Sequence, residues 1–200
     1  MKKHIIIFDI GGVLVRQNYA SILRNLFKKI KLSVFLYPKF GSEIVKLNNG
    51  DENPENFFKF LSIKLKMNRK EVEKVYKKFY ENNSKPNKKV ISLVERMSKK
   101  YKVYCLTNTN SIHHEVDIRR NLFDNFIKVY YSYKLKMSKP DEKIYKYVLR
   151  DLKICPKDII FIDNSLPNTL VANNLGFNGI QFKNYRKLIK SLHKLGINTK

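Results

Sequence analysis

Cysteine is scarce in this sequence. The chain of 200 residues has two cysteines, Cys105 and Cys155, which lie far apart and lack the spacing of metal ligands. This argues against a disulfide framework and against a cysteine-based zinc site. Because both cysteines stand beside apolar segments, we expect two buried free thiols in a reducing compartment, which favours a cytoplasmic protein.

Long apolar runs are also missing. No stretch approaches the roughly 20 residues that span a bilayer, and the apolar part of MKKHIIIFDIGG is too short for an export signal and breaks at Asp9. We therefore expect neither membrane insertion nor export. Internal repeats and low-complexity linkers are absent, and a hydrophobic fraction of 43 % with 13 Phe and 12 Tyr is enough for a core. These features exclude disorder of the whole chain and indicate one domain, with room for an insertion.

Acidic residues are few. The 17 Asp and Glu are outnumbered by 41 Lys and Arg, which gives a formal net charge of +24. This charge would suit nucleic-acid binding, but the lysines are spread along the chain rather than clustered with arginine and exposed aromatic residues. We therefore expect solvated helix faces, no nucleic-acid partner, and a basic surface that raises the encounter rate with anionic substrates.

Several short segments rich in β-branched and aromatic residues predict buried parallel strands, because each ends at polar or turn residues. The predicted strands are HIIIF (4–8), KVYCL (102–106), FIKVYYS (126–132), DIIFI (158–162) and GIQF (179–182). They alternate with segments of helical period. The alternation predicts an α/β fold, with a Rossmann-like parallel sheet covered by helices on both faces.

The helical segments carry recognisable starts, faces and ends. In NKKVISLVERMSKK one helix face is formed by Val90, Ile91, Val94 and Met97. The segment PDEKIYKYVLRDL opens with a proline and two acids, which suit the positive end of a helix. LPNTLVANNLG ends on Gly176, a residue type that commonly terminates helices.

The region from about Gln17 to Ser84 breaks the alternation. It shows no good strand and has four amphipathic helical segments, YASILRNLFKKIK, FGSEIVKLN, NPENFFKFLSIKLK and RKEVEKVYKKFYEN. Asn53 followed by Pro54 is a typical helix start. We therefore assign residues 17–84 to a small inserted helical cap, and residues 1–16 with 85–200 to the α/β core.

Polar residues and glycines stand where the predicted strands end. In parallel α/β sheets these ends share one edge, where ligands bind. The residues there are Asp9, Gly11 and Gly12 after the first strand, Thr107 and Asn108 after the second, Lys139 in a loop after the third, and Asp163 and Asn164 after the fourth. The set suits phosphoryl transfer: a carboxylate attacks phosphorus, a hydroxyl and backbone N–H groups hold phosphate oxygens, a lysine offsets charge, and a second acid helps to hold Mg²⁺.

With these residues the sequence resembles the haloacid dehalogenase superfamily, in its form with a helical cap inserted after the first strand. Four stretches carry the resemblance in the family's order: IIIFDIGGVLV, VYCLTNTN, MSKPDEKIYKYVL and IIFIDNSLPNTLVANNLG. Together they run through nearly the whole chain. Within the superfamily, LTNTNSIHH followed by MSKPDEKIY is similar to a branch of sugar-phosphate phosphatases, which includes enzymes acting on α-glucose 1-phosphate.

The resemblance implies a Mg²⁺-dependent phosphatase of a small phosphorylated metabolite, active as a monomer or a weak dimer. It implies that Asp9 is the nucleophile, which forms a phosphoaspartyl intermediate, and that Thr107 and Lys139 are catalytic. The residues implied to contact phosphate are Thr107, Asn108, Lys139 and Gly12, and those implied to contact Mg²⁺ are Asp9, Gly11 through its carbonyl, Asp163 and Asn164.

Two positions depart from the family pattern. Most phosphatases of the family carry a second Asp, a general acid and base, where this sequence has Gly11, and such help is typically worth about 10² to 10⁴ in rate. Asn164 stands where related sequences have a second acid, so we expect weaker Mg²⁺ binding. Without the acid, anomeric phosphates, acyl phosphates and anhydrides should react better than alkyl phosphates.

Two alternatives remain open from the residues. A catalytically impaired relative that binds a phosphorylated ligand or a partner is compatible with both Gly11 and Asn164. A carbon–halogen hydrolase is compatible with Gly11, because such relatives need no metal and lack the second acid, but Asp163 argues against it. The adjacent His113 and His114 do not face the same way on a helix, so we do not expect a zinc pair, and His113 is a candidate to line the substrate pocket.

Overall fold

The computed structural model describes residues 4–17 and 38–200. Its strands are β1 (Ile5–Phe8), β2 (Val15–Gln17), β3 (Ser84–Pro86), β4 (Lys102–Thr107), β5 (Val129–Tyr131), β6 (Ile159–Asp163) and β7 (Asn178–Gln181). Its helices are α1 (Pro38–Asn49), α2 (Pro54–Leu65), α3 (Arg69–Asn83), α4 (Lys88–Ser98), α5 (Ser111–Ile118), α6 (Ser132–Leu135), α7 (Glu142–Leu152), α8 (Leu166–Asn174) and α9 (Tyr185–Lys194). In this part of the chain we find no helix with the length and apolarity that crossing a bilayer requires. The predicted helical segment YASILRNLFKKIK lies outside the described residues.

A five-stranded parallel sheet forms the centre of the molecule, with the strand order β5-β4-β1-β6-β7. The central strand β1 is buried along its whole length, and its Phe8 is in register with Cys105 of β4 and Ile162 of β6. The order places β1 where the chain switches from one side of the sheet to the other. In open parallel sheets such a switch point, at the carboxyl ends of the strands, is where ligands bind.

Both faces of the sheet are covered by helices, as the sequence predicts. Ile6 and Phe8 face a core shared with α4 and α9, whereas Ile5 and Ile7 face a second core shared with α7 and α8. This alternation follows from the two-residue period of a strand. Because both faces are apolar, β1 and β6 are continuous hydrophobic runs rather than alternating ones.

Some predicted boundaries and faces are wrong in detail. The segment 126–132 forms a strand only at Val129–Tyr131, because Ser132 already begins the short helix α6. On α4 the buried face is Val90, Leu93, Val94 and Met97, and Ile91 is only partly buried. Helix α7 begins at Glu142, with Asp141 as its N-cap, so Pro140 precedes the helix.

The segments between β2 and β3 are helical where the structure describes them. Asn53 caps α2 by accepting a hydrogen bond from the Asn56 N–H at 2.8 Å, as the Asn-Pro pair predicts. The expectation of no strand in this region is wrong at its two ends, because β2 and β3 pair antiparallel, with Gln17 opposite Ser84. These strands have three residues each, too short for a hydrophobic period to show.

The two thiols differ in exposure. Cys105 is buried in β4, as expected, but Cys155 is exposed. The expectation of two buried thiols is therefore wrong for Cys155, because this residue stands at the N-cap of a 3₁₀ turn, Pro156–Asp158, at the surface rather than in the following strand.

Candidate active site

The ammonium group of Lys139 joins two carboxylates at the carboxyl edge of the sheet. Lys139 Nζ donates to Asp9 Oδ1 and to Asp163 Oδ2, both at 2.7 Å. Its third proton goes to the Leu106 carbonyl at 2.8 Å, so all three donors of the ammonium are used. The structure thus brings three of the residues singled out from the sequence into one cluster.

The cluster is withdrawn from solvent. The side chains of Lys139, Asp9 and Asp163 are 1 %, 8 % and 0 % exposed. Burial raises the pKa of Asp9 to about 6, and the attraction of Lys139 opposes this rise. Burial alone would lower the pKa of Lys139, but the two carboxylates outweigh it and the pKa is raised. The lysine is therefore a permanent positive charge between two acids.

The loop after β4 fixes the backbone of Lys139. Asn108 Nδ2 donates to the Lys139 carbonyl at 2.7 Å, and Asn108 Oδ1 accepts from the Lys139 N–H at 2.9 Å. The Asn108 side chain thus holds the lysine in place in this structure, a role that the sequence does not reveal. Thr107 is the last residue of β4 and is buried, beside the carbonyl of Leu106 that binds Lys139.

The loop after β6 orients Asp163. Asp163 Oδ1 accepts from the Ser165 N–H at 2.8 Å, and Oδ2 accepts from Asn168 Nδ2 at 3.0 Å. Asn168 therefore supports the carboxylate of Asp163. Ser165 is the N-cap residue of α8, so the helix start and the acid are fixed together.

The loop after β1 is a tight turn that approaches the loop after β6. The Gly12 N–H donates to the Val15 carbonyl at 2.7 Å, and the Val15 N–H donates to Ile10 at 2.9 Å. Gly12 has a φ of +80°, and a Cβ at this position would overlap the amide of Asn164. Glycine is required here by both the backbone angle and the space. Gly12 and Asn164 are therefore in contact beside the Lys139 cluster.

The residues present fit a magnesium ion. Asp9 and Asp163 offer carboxylate oxygens, and the predicted set adds the Gly11 carbonyl and the Asn164 amide oxygen. Within residues 4–17 and 38–200 there is no group of three or more His, Cys, Asp or Glu that could hold a metal. An all-oxygen set with two carboxylates suits Mg²⁺, which commonly takes one or two carboxylates and completes its shell with water and phosphate.

A second polar cluster joins α1 and α3 to the core, and of its residues the sequence singled out only His113. The buried Asn110 caps α5, and its Nδ2 donates to Asn48 Oδ1 of α1 at 2.8 Å. Ser132 Oγ donates to the Asn48 carbonyl at 2.6 Å. The His113 ring is stacked on Tyr80 at 3.8 Å, and burial lowers its pKa to about 3. These residues come from distant parts of the sequence and form no motif. Their partners can therefore be recognised only from the fold.

A comparison with protein families identifies the class. The model of the haloacid dehalogenase-like hydrolases matches residues 6–182, which begin at the second residue of β1 and include all the loops that carry the cluster. The chain belongs to this family of hydrolases, as the resemblance implies.

Three proteins that resemble this chain are informative. D-ribitol-5-phosphate phosphatase of Bacteroides thetaiotaomicron is 30 % identical over 95 residues, which are 44 % of this chain and 46 % of that protein. The match thus spans less than half of this relative's length. A HAD family enzyme of Bacteroides thetaiotaomicron, crystallised with magnesium and inorganic phosphate, is 26 % identical, with a TM-score of 0.74 over 92 % of this chain and 98 % of that one. A predicted HAD-like hydrolase from Porphyromonas gingivalis has a TM-score of 0.81 over 99 % and 100 % of the two chains, but at 23 % identity it supports the fold alone.

Proposed function

We propose that the protein is a Mg²⁺-dependent phosphatase of a small phosphorylated metabolite, such as a sugar phosphate, that acts through a phosphoaspartyl intermediate on Asp9. One observation carries this proposal: Lys139 Nζ lies 2.7 Å from both Asp9 and Asp163 at the switch point of the sheet. The similarity to a ribitol-phosphate phosphatase and to an enzyme crystallised with magnesium and phosphate supports the substrate class and the ion.

In the first step a carboxylate oxygen of Asp9 attacks phosphorus. The new O–P bond forms as the bond to the leaving oxygen breaks, and the leaving oxygen takes the electron pair. Lys139 holds Asp9 in place and offsets the negative charge that gathers near it. Thr107 is the candidate contact for the phosphoryl oxygens, whereas the Gly12 N–H, which the resemblance also implies as a contact, donates to the Val15 carbonyl at 2.7 Å in this structure. Bound Mg²⁺, held by Asp9, Gly11, Asp163 and Asn164, would neutralise the phosphoryl charge.

In the second step water attacks the phosphorus of the acyl phosphate, the bond to Asp9 breaks, and inorganic phosphate leaves. Gly11 offers no proton to the leaving group and no base to this water, so both protons must be exchanged with solvent or with the substrate. Good leaving groups are therefore favoured. We expect faster turnover of p-nitrophenyl phosphate and glucose 1-phosphate than of glucose 6-phosphate.

A screen of phosphorylated metabolites with and without Mg²⁺ tests the proposal. We expect phosphate release that requires Mg²⁺ and is lost in Asp9→Asn, which keeps the shape of the side chain but not its nucleophilicity. Beryllium fluoride with Mg²⁺ should form an adduct on Asp9 in the wild type and none in the variant. Equal rates on the three test substrates would contradict the role given to Gly11.

A second candidate is a catalytically impaired relative that binds a phosphorylated ligand. It is favoured by the two residues that depart from the family pattern, Gly11 and Asn164. Inertness across the whole panel, together with saturable binding of a phosphorylated metabolite, would support this candidate and exclude the phosphatase.

A further inference from the structure

A cavity of about 420 Å³, lined by polar residues and by Phe182 and Tyr185, adjoins the loops of the candidate active site on the side of β7. Its wall includes Gly12 from the loop after β1 and Asn164 from the loop after β6. Lys183 and Asn184, which follow β7, and Arg16 of β2 also line it. The cavity therefore shares Gly12 and Asn164 with the loops that carry Asp9 and Asp163.

The charge of the cavity is entirely positive. Arg16 and Lys183 belong to its lining, and no carboxylate does. Neither side chain forms an ion pair within the residues that the structure describes, and the contact from Arg16 Nη2 to Asn87 Oδ1 is long, at 3.4 Å. The sequence has no Asp or Glu after Asp163, so the segment that forms this side of the molecule has no acid to offer. Among the described residues, therefore, no acid neutralises either cation.

The neutral groups of the lining reinforce this charge. Asn87 and Asn184 are the residues before α4 and α9, so both helices begin at the cavity. Asn87 makes no side-chain cap for α4; its Nδ2 donates to the Val13 carbonyl at 3.1 Å. The positive ends of two helices thus add to the field of Arg16 and Lys183.

We infer that this cavity binds an oxyanion, a phosphate or carboxylate group. Resting on the proposed phosphatase function, we further infer that this group is the second anion of the substrate, whose first phosphate is transferred to Asp9. The substrate class is then a small metabolite with two anionic groups, such as a bisphosphate or a phosphorylated acid. Gly12 and Asn164 belong both to the cavity lining and to the loops that carry Asp9 and Asp163, so a substrate whose phosphate reaches Asp9 can extend into the cavity.

Direct binding tests the cavity without catalysis. Titration with inorganic phosphate should give saturable shifts of the Lys183 and Asn184 amide signals in nuclear magnetic resonance spectra. Arg16→Gln and Lys183→Gln should each weaken this binding about tenfold, the scale of one charged hydrogen bond. Lys190→Gln is the matched control, because Lys190 is exposed on α9 and outside the lining. Absent shifts, or one affinity shared by all variants, would overturn the inference.

Kinetics identify the source of the anion. With Mg²⁺, glucose 1,6-bisphosphate should have a higher kcat/KM than glucose 1-phosphate, and this preference should fall about tenfold in Arg16→Gln and Lys183→Gln but persist in Lys190→Gln. If phosphate binds at the cavity but the bisphosphate is not preferred to the monophosphate, the cavity binds a free ion and the second-anion inference is refuted. Binding at the cavity with neither substrate turned over would instead refute the proposed phosphatase and leave the oxyanion site standing.

Discussion

The ammonium group of Lys139 lies 2.7 Å from Asp9 Oδ1 and 2.7 Å from Asp163 Oδ2, in a buried cluster. Two buried carboxylates that face one cation repel each other, and the cation that they share opposes this repulsion. The same two carboxylates supply oxygens to the proposed magnesium site, so Lys139 holds both metal-binding acids in position.

Lys139→Met should destabilise the fold by about 3–5 kcal/mol, because it leaves two buried carboxylates without a cation. Denaturation in urea measures the loss. Lys143→Met removes an exposed lysine nearby and is the control, expected to change stability by less than about 0.5 kcal/mol. A loss below about 1 kcal/mol in Lys139→Met would contradict the description of a buried, mutually dependent cluster.

Gly12→Ala should cost about 1–3 kcal/mol, because the new Cβ overlaps the Asn164 amide and the residue has a φ of +80°. Gly41→Ala is the matched control. Gly41 lies in α1, where a Cβ meets no described residue within 4 Å, so alanine should stabilise the helix by about 0.5–1 kcal/mol. Thermal unfolding of the two variants should therefore shift in opposite directions.

Asn164→Asp should tighten Mg²⁺ binding about tenfold, because it adds a carboxylate to a set that has two. Titration calorimetry in the absence of substrate measures this affinity. Asp163→Asn is expected to abolish measurable binding. If Asn164→Asp leaves the affinity unchanged, the residue does not belong to the metal site.

Asp117 should make stability depend on pH. It is 2 % exposed, and burial raises its pKa to about 6, although Tyr80 donates to Oδ2 at 3.0 Å and Arg120 lies 3.5 Å away. Between pH 4 and pH 6 the folded state therefore binds more protons than the unfolded state. The contribution of Asp117 to the free energy of unfolding falls by about 3 kcal/mol as the pH rises through this range. Above pH 6 it is constant. The difference in unfolding free energy between the wild type and Asp117→Asn should show this slope, and a flat difference would contradict it.

The thiols should react unequally. Cys155 is exposed and should react with a disulfide reagent in the native protein, whereas Cys105 is buried and its pKa is raised by burial. One thiol should react before unfolding and two after it. Cys155→Ser should leave none reactive in the native state.

The parallel sheet could be predicted from the sequence, and so could the position of Asp9, Lys139 and Asp163 at one edge of it. The carboxyl ends of parallel strands are neighbours whatever the sequence of the loops that follow them. The strands β2 and β3 were missed, since VRQ and SKP are too short and too polar to show a period. The double hydrogen bond between Asn108 and the backbone of Lys139 was also missed. Its partner is 31 residues away, and an amide pair of this kind depends on loop geometry that residue types alone do not specify.

Asn48 accepts hydrogen bonds from two core residues, Asn110 and Ser132, and Asn110 also caps the helix that follows the loop of Thr107. Separating α1 from the core would therefore break two hydrogen bonds, at a cost of about 1 kcal/mol for each. Because Asn110 also starts the helix after the β4 loop, a change in the position of α1 would be felt at that loop.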